Sequence, residues 1–393
     1  MGAVMAAAAD GISYSRTVRD HIERGIGIPR ELYLSQELFA EEMTGIFGRS
    51  WLYAGHESQL TLPGQYLTVE CGTESAIVAR GRDGRLTAFS NVCRHRGARL
   101  VDPGCGTKRR FVCPYHQWTY RLDGTLQGAP RMPDSFDPAR HPLPTAHVAV
   151  WHGLVFVHLG EAAPEPIADL LGTGEELMAA FGIADTKVAH TISYQVEANW
   201  KLVWENAQEC YHCNVNHPEL IKTFDVAGLN ATGRLETKTT PSLDPRVVHG
   251  RFPLRPGAVS LTLDGRYASR KPLGAFGAGL APYTASIHLK PTFALVGCPD
   301  YAVVLSERPV SVDRTEVRMS WLVHDDAVDG TDYDLDILVK VWNETNQQDW
   351  ALCERAQLGV RSRSYVPGPL SADETAVVDF YRAYADLLEA EDL

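Results

Sequence analysis

Cys93-x-His95, seventeen intervening residues and then Cys113-x-x-His116 set two thiols and two imidazoles in two short pairs. Such a set binds one tetrahedral Zn²⁺, or it divides between the irons of a [2Fe–2S] cluster, cysteines on one and histidines on the other. Each pair contributes one residue of each type. Two facing loops can therefore give both sulfurs to one iron and both imidazoles to the other. A zinc knuckle more often groups its ligands by type, so the cluster is the favoured reading. Gly97, Gly104 and Gly106 suit loops whose backbone N–H groups approach bridging sulfides closely. Histidine ligation raises the potential of such a cluster above that of all-cysteine ferredoxins.

A second constellation lies between Asn199 and His217. The spacing predicts a helix from about Asn199 to Asn214, on which Leu202, Glu205, Asn206, Glu209 and His212 share a stripe. That stripe starts apolar and turns into carboxylate, amide and imidazole, which cannot enter a core without a partner. His212 and His217 offer two nitrogen donors, five residues apart, with Pro218 next in the chain. A third donor should be a carboxylate, because two histidines and one carboxylate leave positions open for O₂ and substrate. Asp349 fits, since it falls within the apolar stripe of a predicted helix carrying Leu338, Val341, Trp342, Thr345, Leu352 and Ala356. Taken singly, these three residues read as satisfied core histidines and a capped acid; taken together they read as a mononuclear Fe(II) site. Cys210 and Cys213 form a nominal Cys-x-x-Cys without a βαβ context, and both are assigned to packing.

These residues need two different supports. From Trp51 to about Leu159 the chain runs in short β-rich segments, with Asp83–Gly84 and Asp123–Gly124 as hairpin turns and another turn at His152–Gly153. Both Cys/His pairs fall where loops belong. Residues 160 to 185 read as a connection. Beyond them come a strand at Val188–Val196, several strands between about 245 and 325 with a turn at Asp264–Gly265, and helices at about Asp332–Val360 and Thr375–Leu388. The expected fold class is α+β: an N-terminal helical segment (1–45), an antiparallel β domain (46–160) and an α+β catalytic domain (161–393), in which helices flank an antiparallel sheet.

With 393 residues, 45% hydrophobic and 22% charged, the composition is that of an ordinary globular chain. A net charge of -12 argues against broad nucleic-acid binding. No run approaches the length of a membrane span. The start, MGAVMAAAAD, lacks a cationic signal region and the myristoylation pattern, so a cytoplasmic location is expected. Eight cysteines are too few for a disulfide scaffold in a chain this long.

The motifs N-V-C-R-H-R-G-A-R-L and F-V-C-P-Y-H-Q-W-T-Y resemble those of Rieske-type ring-hydroxylating oxygenases. E-N-x-x-E-C-Y-H-x-x-x-x-H resembles the mononuclear-iron motif of their α subunits, and Asp349 matches the distant carboxylate ligand. In that family an acid three residues before the first histidine bridges to a cluster histidine of the neighbouring subunit. By position this is Glu209, where many relatives carry Asp. Glu resembles the branch acting on quaternary amines. E-C-Y-H-C-N, N-H-P-E-L, V-S-L-T-L-D-G and Y-x-P-G-P carry the same resemblance, to the glycine betaine type and more loosely to carnitine, choline and proline-betaine oxygenases.

The resemblance implies a terminal oxygenase with O₂ as co-substrate that oxidises an N-methyl group of a small quaternary amine and releases formaldehyde. It further implies a homotrimer and electrons from a separate flavin/ferredoxin-type reductase using NAD(P)H. No Gly-x-Gly-x-x-Gly dinucleotide site occurs in the chain. A methylated ammonium needs aromatic faces, for which Trp204, Tyr283 and Phe293 are available, and a basic or polar residue for its carboxylate. The competing readings are oxidation of an aromatic acid or secondary metabolite by the same motifs, a simple electron carrier, and a zinc-binding interaction module.

Overall fold

In the computed structural model, which describes residues 13–226 and 244–389, three antiparallel sheets account for every named strand. The expectation for the first ten residues lies outside the described residues. Three helices open the chain: α1 (Tyr14–Glu23), α2 (Glu31–Leu34) and α3 (Gln36–Gly45).

Ten strands follow: β1 (Leu52–His56), β2 (Gln65–Cys71), β3 (Glu74–Arg80), β4 (Leu86–Ser90), β5 (Cys105–Thr107), β6 (Phe111–Val112), β7 (Thr119–Tyr120), β8 (Leu126–Gly128), β9 (Thr145–Trp151) and β10 (Leu154–His158). Seven of them form a sheet in the order β1-β10-β9-β4-β3-β2-β5, and β6-β7-β8 form a small sheet at its tip. The Asp–Gly pairs supply the positive φ that tight hairpins need, at Gly84 (80°) between β3 and β4 and at Gly124 (79°) between β7 and β8. His152 and Gly153 turn β9 into β10 in the same way.

After α4 (Ile167–Leu171) and α5 (Glu175–Ala179), a six-stranded sheet runs in the order β11-β16-β15-β14-β13-β12. Its strands are β11 (Thr186–Val196), β12 (Val247–Phe252), β13 (Thr284–Leu289), β14 (Phe293–Gly297), β15 (Ala302–Ser311) and β16 (Arg314–His324). Helices α6 (Trp200–Gln208) and α7 (Cys213–Asn216) follow β11, while α8 (Leu335–Arg361) and α9 (Thr375–Glu389) close the chain.

The apolar runs of β14 and β15 reflect a sheet covered on both faces. Ile287, Leu289, Phe293 and Leu295 pack with Trp151 and Phe156 of the first sheet and with Trp51 just before it. Their neighbours His288, Ala294 and Val296 face the other way and line a cavity beside α8. Residues 160 to 185 are more than a connection, since Ile167, Leu170, Leu171, Met178 and Phe181 are buried in that same interface. The N-terminal helices also join the C-terminal core. Arg19 on α1 pairs with Asp386 and Glu389 on α9 at 2.6 and 2.9 Å.

Two expectations are corrected. The helix predicted over 199–214 ends at Gln208, because the Glu209 carboxylate takes the backbone N–H groups of Tyr211 and His212 that a helix would have given to carbonyls four residues back. Between β12 and β13 no strand forms. The Asp264–Gly265 pair turns an irregular segment instead, with Gly265 at φ 74°.

Candidate functional site: two metal-binding constellations

The first constellation sits on the loops β4–β5 and β6–β7, which share one backbone design. The Cys93 N–H donates to Ala98 O (2.9 Å) and Cys93 O accepts from Gly97 N (3.0 Å). Cys113 N–H donates likewise to Trp118 O (2.8 Å) and Cys113 O accepts from Gln117 N (3.0 Å). Each turn closes through a residue at positive φ, Gly97 at 74° and Gln117 at 62°. Glycine adopts that conformation freely; glutamine is held there against a steric cost of about 1 kcal/mol. Asn91, fully buried, staples the first loop. Its amide donates to Ser75 Oγ (3.0 Å) and Val101 O (2.8 Å), and its carbonyl accepts from Leu100 N (3.2 Å) and Val101 N (3.1 Å).

Cys93 and Cys113 are buried, whereas His95 is exposed and His116 half-buried. The imidazole centroids of His95 and His116 lie 4.6 Å apart. Trp118 stacks flat on His95 and Tyr115 on His116, consistent with packing around the ligands. Tyr120 Oη lies 3.4 Å from Cys93 Sγ and accepts the Arg94 N–H at 3.0 Å. Burial pushes the Cys93 thiol up, and neighbouring Cys113 adds to this, so a thiolate pair here calls for a cation. Burial, His95 and Arg96 lower His116, which keeps its ring neutral with a lone pair to give. Buried sulfurs and outward imidazoles fit a cluster held inside by cysteine and at the surface by histidine. Cys105 is exposed on β5, outside this set.

The second constellation joins the segment after α6 to the middle of α8. His212 Nε2 lies 3.1 Å from His217 Nε2 and 3.1 Å from Asp349 Oδ1, and His217 Nε2 lies 2.9 Å from the same oxygen. The outer nitrogens fix the tautomers. His212 Nδ1 donates to Glu209 Oε1 at 2.5 Å. His217 Nδ1 donates to Gln348 Oε1 at 2.9 Å, and the Gln348 amide is itself oriented by donating to Glu219 Oε2 at 2.8 Å. With both Nδ1 atoms engaged outward, two Nε2 atoms and a carboxylate oxygen converge on one point. Donors of one sign in such proximity require a positive charge. Burial lowers His212, but hydrogen bonds to Asp349 and Glu209 outweigh it and raise the ring to about 9. Burial raises Asp349, yet the two histidines overcome it and hold the carboxyl below its usual range. The set is short of positive charge, which a divalent cation supplies.

The expected stripe divides here. Asn206 stays near the centre, with Nδ2 3.5 Å from His212 Nε2. Glu205 turns elsewhere, accepting from Tyr33 Oη at 2.7 Å, and burial pushes it up to about 7. Cys210 and Cys213, read as packing residues, are instead joined in a disulfide, which removes Cys213 as a thiolate ligand although its sulfur lies 4.0 Å from His212 Nε2. Asn91, Tyr120 and Glu219 stand inside the motifs quoted above but without an assigned role, and Gln348 is marked in the sequence only by its adjacency to Asp349.

The metal-facing atoms open on a cavity of about 470 Å³ with a predominantly apolar wall. Phe224, Trp342 and Trp350 supply its aromatic lining. Trp204, Tyr283 and Phe293 lie outside that lining; Tyr283 packs on Phe181 and Phe293 on Phe156. None of the described helices is long and apolar enough to cross a membrane.

Residues 50–147 match the Rieske [2Fe-2S] domain family, and residues 183–390 match the ring hydroxylating alpha subunit (catalytic domain). The chain is 38% identical over 392 residues to the glycine betaine monooxygenase oxygenase subunit of Pseudomonas aeruginosa, covering 94% of this chain and 90% of that protein. It superposes on the quaternary ammonium Rieske monooxygenase CntA in complex with L-carnitine with a TM-score of 0.72 and 26% identity, over 92% of this chain and 95% of that one. Naphthalene 1,2-dioxygenase from Rhodococcus sp., at 19% identity, shares the fold with a TM-score of 0.75, covering 98% of this chain and all of that one. The chain therefore belongs to the ring-hydroxylating α subunits: it is the oxygenase component of a Rieske non-haem iron monooxygenase system that pairs a [2Fe–2S] cluster with a mononuclear iron and draws electrons from a reductase.

Proposed function

We propose that this oxygenase removes an N-methyl group from a quaternary ammonium substrate such as glycine betaine, yielding formaldehyde and a dimethylamine. The observation that carries the substrate class is the chain-long similarity to a glycine betaine monooxygenase oxygenase subunit. Trp342 and Trp350, flanking Asp349 on α8, fit it, because aromatic faces are what a methylated cation can recognise. An aromatic-acid hydroxylase with the same metal motifs is the reading this displaces.

In this account Cys93, Cys113, His95 and His116 hold the cluster, and His212, His217 and Asp349 hold Fe(II). When bound, the cluster supplies single electrons and the iron supplies reductive activation of O₂. Glu209 and Gln348 keep both Nδ1 protons pointing away from the centre, so that each ring offers Nε2. Asp349 shares the cavity wall with the two indoles of the same helix. The exposed imidazole edge at His95 and His116 suits electron exchange with another protein surface, and Glu209 is the residue we assign to carry coupling from a neighbouring subunit into His212. A homotrimer, a flavin/ferredoxin-type reductase using NAD(P)H, a cytoplasmic location and domain limits at 45 and 160 complete the proposal.

The test is aerobic turnover of the holoprotein with a suitable reductase, offered glycine betaine, carnitine, choline, proline betaine and benzoate-type acids. Formaldehyde release and O₂ uptake with a quaternary amine are expected. Oxidation of an aromatic acid, with no quaternary amine turned over, would overturn the proposal.

A further inference from the structure

A quaternary amine that also bears a carboxylate is matched by a cation in the same cavity wall as the aromatic rings. Strand β13 ends at Leu289, and Lys290 continues the face that His288 presents to the cavity. Lys290 is 2% exposed, and its Nζ donates to Pro245 O at 3.3 Å. Among the described residues no carboxylate lies within 4.0 Å of that ammonium.

Most other charged groups of the wall are already engaged, and the Asp373 carboxylate, being an anion, cannot receive another. Arg382 is paired with Asp379 at 2.6 Å, and Asp244 is tied to Arg246 at 2.6 Å. Glu209 and Asp349 belong to the metal centre. His249 and His288 are pushed below the usual imidazole range, by burial in both cases and by Lys290 in the second, and are neutral. Lys290 is thus a buried ammonium with three donors and one neutral acceptor. A charge so placed is costly until an anion reaches it. Burial lowers it to about 8, with Asp379 and Asp244 pulling the other way, so the ammonium form prevails at neutral pH.

We propose that Lys290 anchors the substrate carboxylate, making the site selective for zwitterionic methylated amines over cationic ones such as choline. The ammonium end then lies against Trp342 and Trp350 beside Asp349, and the carboxylate end against Lys290. The inference rests on the quaternary-amine reading above.

The test compares glycine betaine with choline in the K290M holoenzyme, with cluster absorption as the check on folding. For glycine betaine kcat/KM should fall roughly 100-fold, and the glycine betaine to choline ratio should fall by the same factor. K290R should recover part of that loss. Equal losses for both substrates, or none for either, would overturn the assignment of Lys290 alone. Failure of the wild-type enzyme to turn over any quaternary amine would overturn the functional reading and this inference with it. If K290M does not fold, wild-type pH series decide. KM for glycine betaine should rise between pH 7 and 9 as the ammonium deprotonates, whereas KM for choline should not; parallel profiles would contradict the proposal.

Discussion

The cluster tip and the iron cleft use the same imidazole chemistry in opposite settings. At the tip, two loops of near-identical hydrogen bonding carry all four proposed ligands within 24 positions of one another, with His95 exposed and His116 half-buried. In the cleft, Asp349 comes from a helix 137 residues beyond His212, the histidines are turned inward, and each Nδ1 is held by a separate side chain. One site is specified locally by turns; the other exists only once the sheet, α6 and α8 have packed. Perturbing the cleft should therefore remove iron without disturbing the tip, and perturbing a turn should affect the tip alone.

The largest expected effect tests that independence. Asp349→Ala should retain the Rieske absorption and EPR signature while losing the mononuclear iron and about 10³-fold or more of turnover, since one of three ligands is gone. Loss of both signatures together would mean that the two sites fold as one. Next comes Glu209→Gln, which keeps one oxygen for His212 but loses the charge. Both metals should remain bound, while reoxidation of the cluster during turnover slows roughly 10- to 100-fold in stopped-flow traces. A fully active variant would remove Glu209 from the coupling route.

Gln348→Leu probes the support of His217. Without the acceptor on Nδ1, iron affinity should drop about 10- to 100-fold by competitive chelation, with the cluster unchanged. The smallest effect concerns the two turns. Gly97→Ala should lower stability by about 1 kcal/mol and Gln117→Gly should raise it by a similar amount, because both positions have positive φ. Equal destabilisation by both substitutions in denaturant titrations would show that the Gln117 side chain contributes more than its backbone strain costs.

The same contrast explains what could be read from the chain. The four proposed cluster ligands and the Gly97 turn stand out in residue type and spacing, and Asp–Gly pairs mark two of the hairpins. Gln117 does not, because its conformation is imposed by the Cys113–Trp118 backbone bonds rather than by its own preference. The three side chains that converge in the cleft, His212, His217 and Asp349, stand out in the sequence through their polar character within apolar periods. The helix expected over 199–214, with His212 on its stripe, stops at Gln208 because a side chain outcompetes the helix for two backbone N–H groups. The parts played by Gln348 and Glu219 cannot be read locally, since they depend on contacts made across the fold. The Cys210–Cys213 pairing was passed over for the same reason: spacing permits a disulfide, and only the turn between α6 and α7 brings the sulfurs together.

The most direct test of the central claim is a single turnover. The protein is loaded with iron and its cluster reduced chemically; excess reductant is removed, and O₂ is added with and without glycine betaine. Formaldehyde should appear together with cluster reoxidation, only with the amine present, and neither should occur at the same rate in Asp349→Ala. Reoxidation of the cluster at equal speed in both proteins, without formaldehyde, would instead make the chain an electron carrier and contradict its role as a terminal oxygenase.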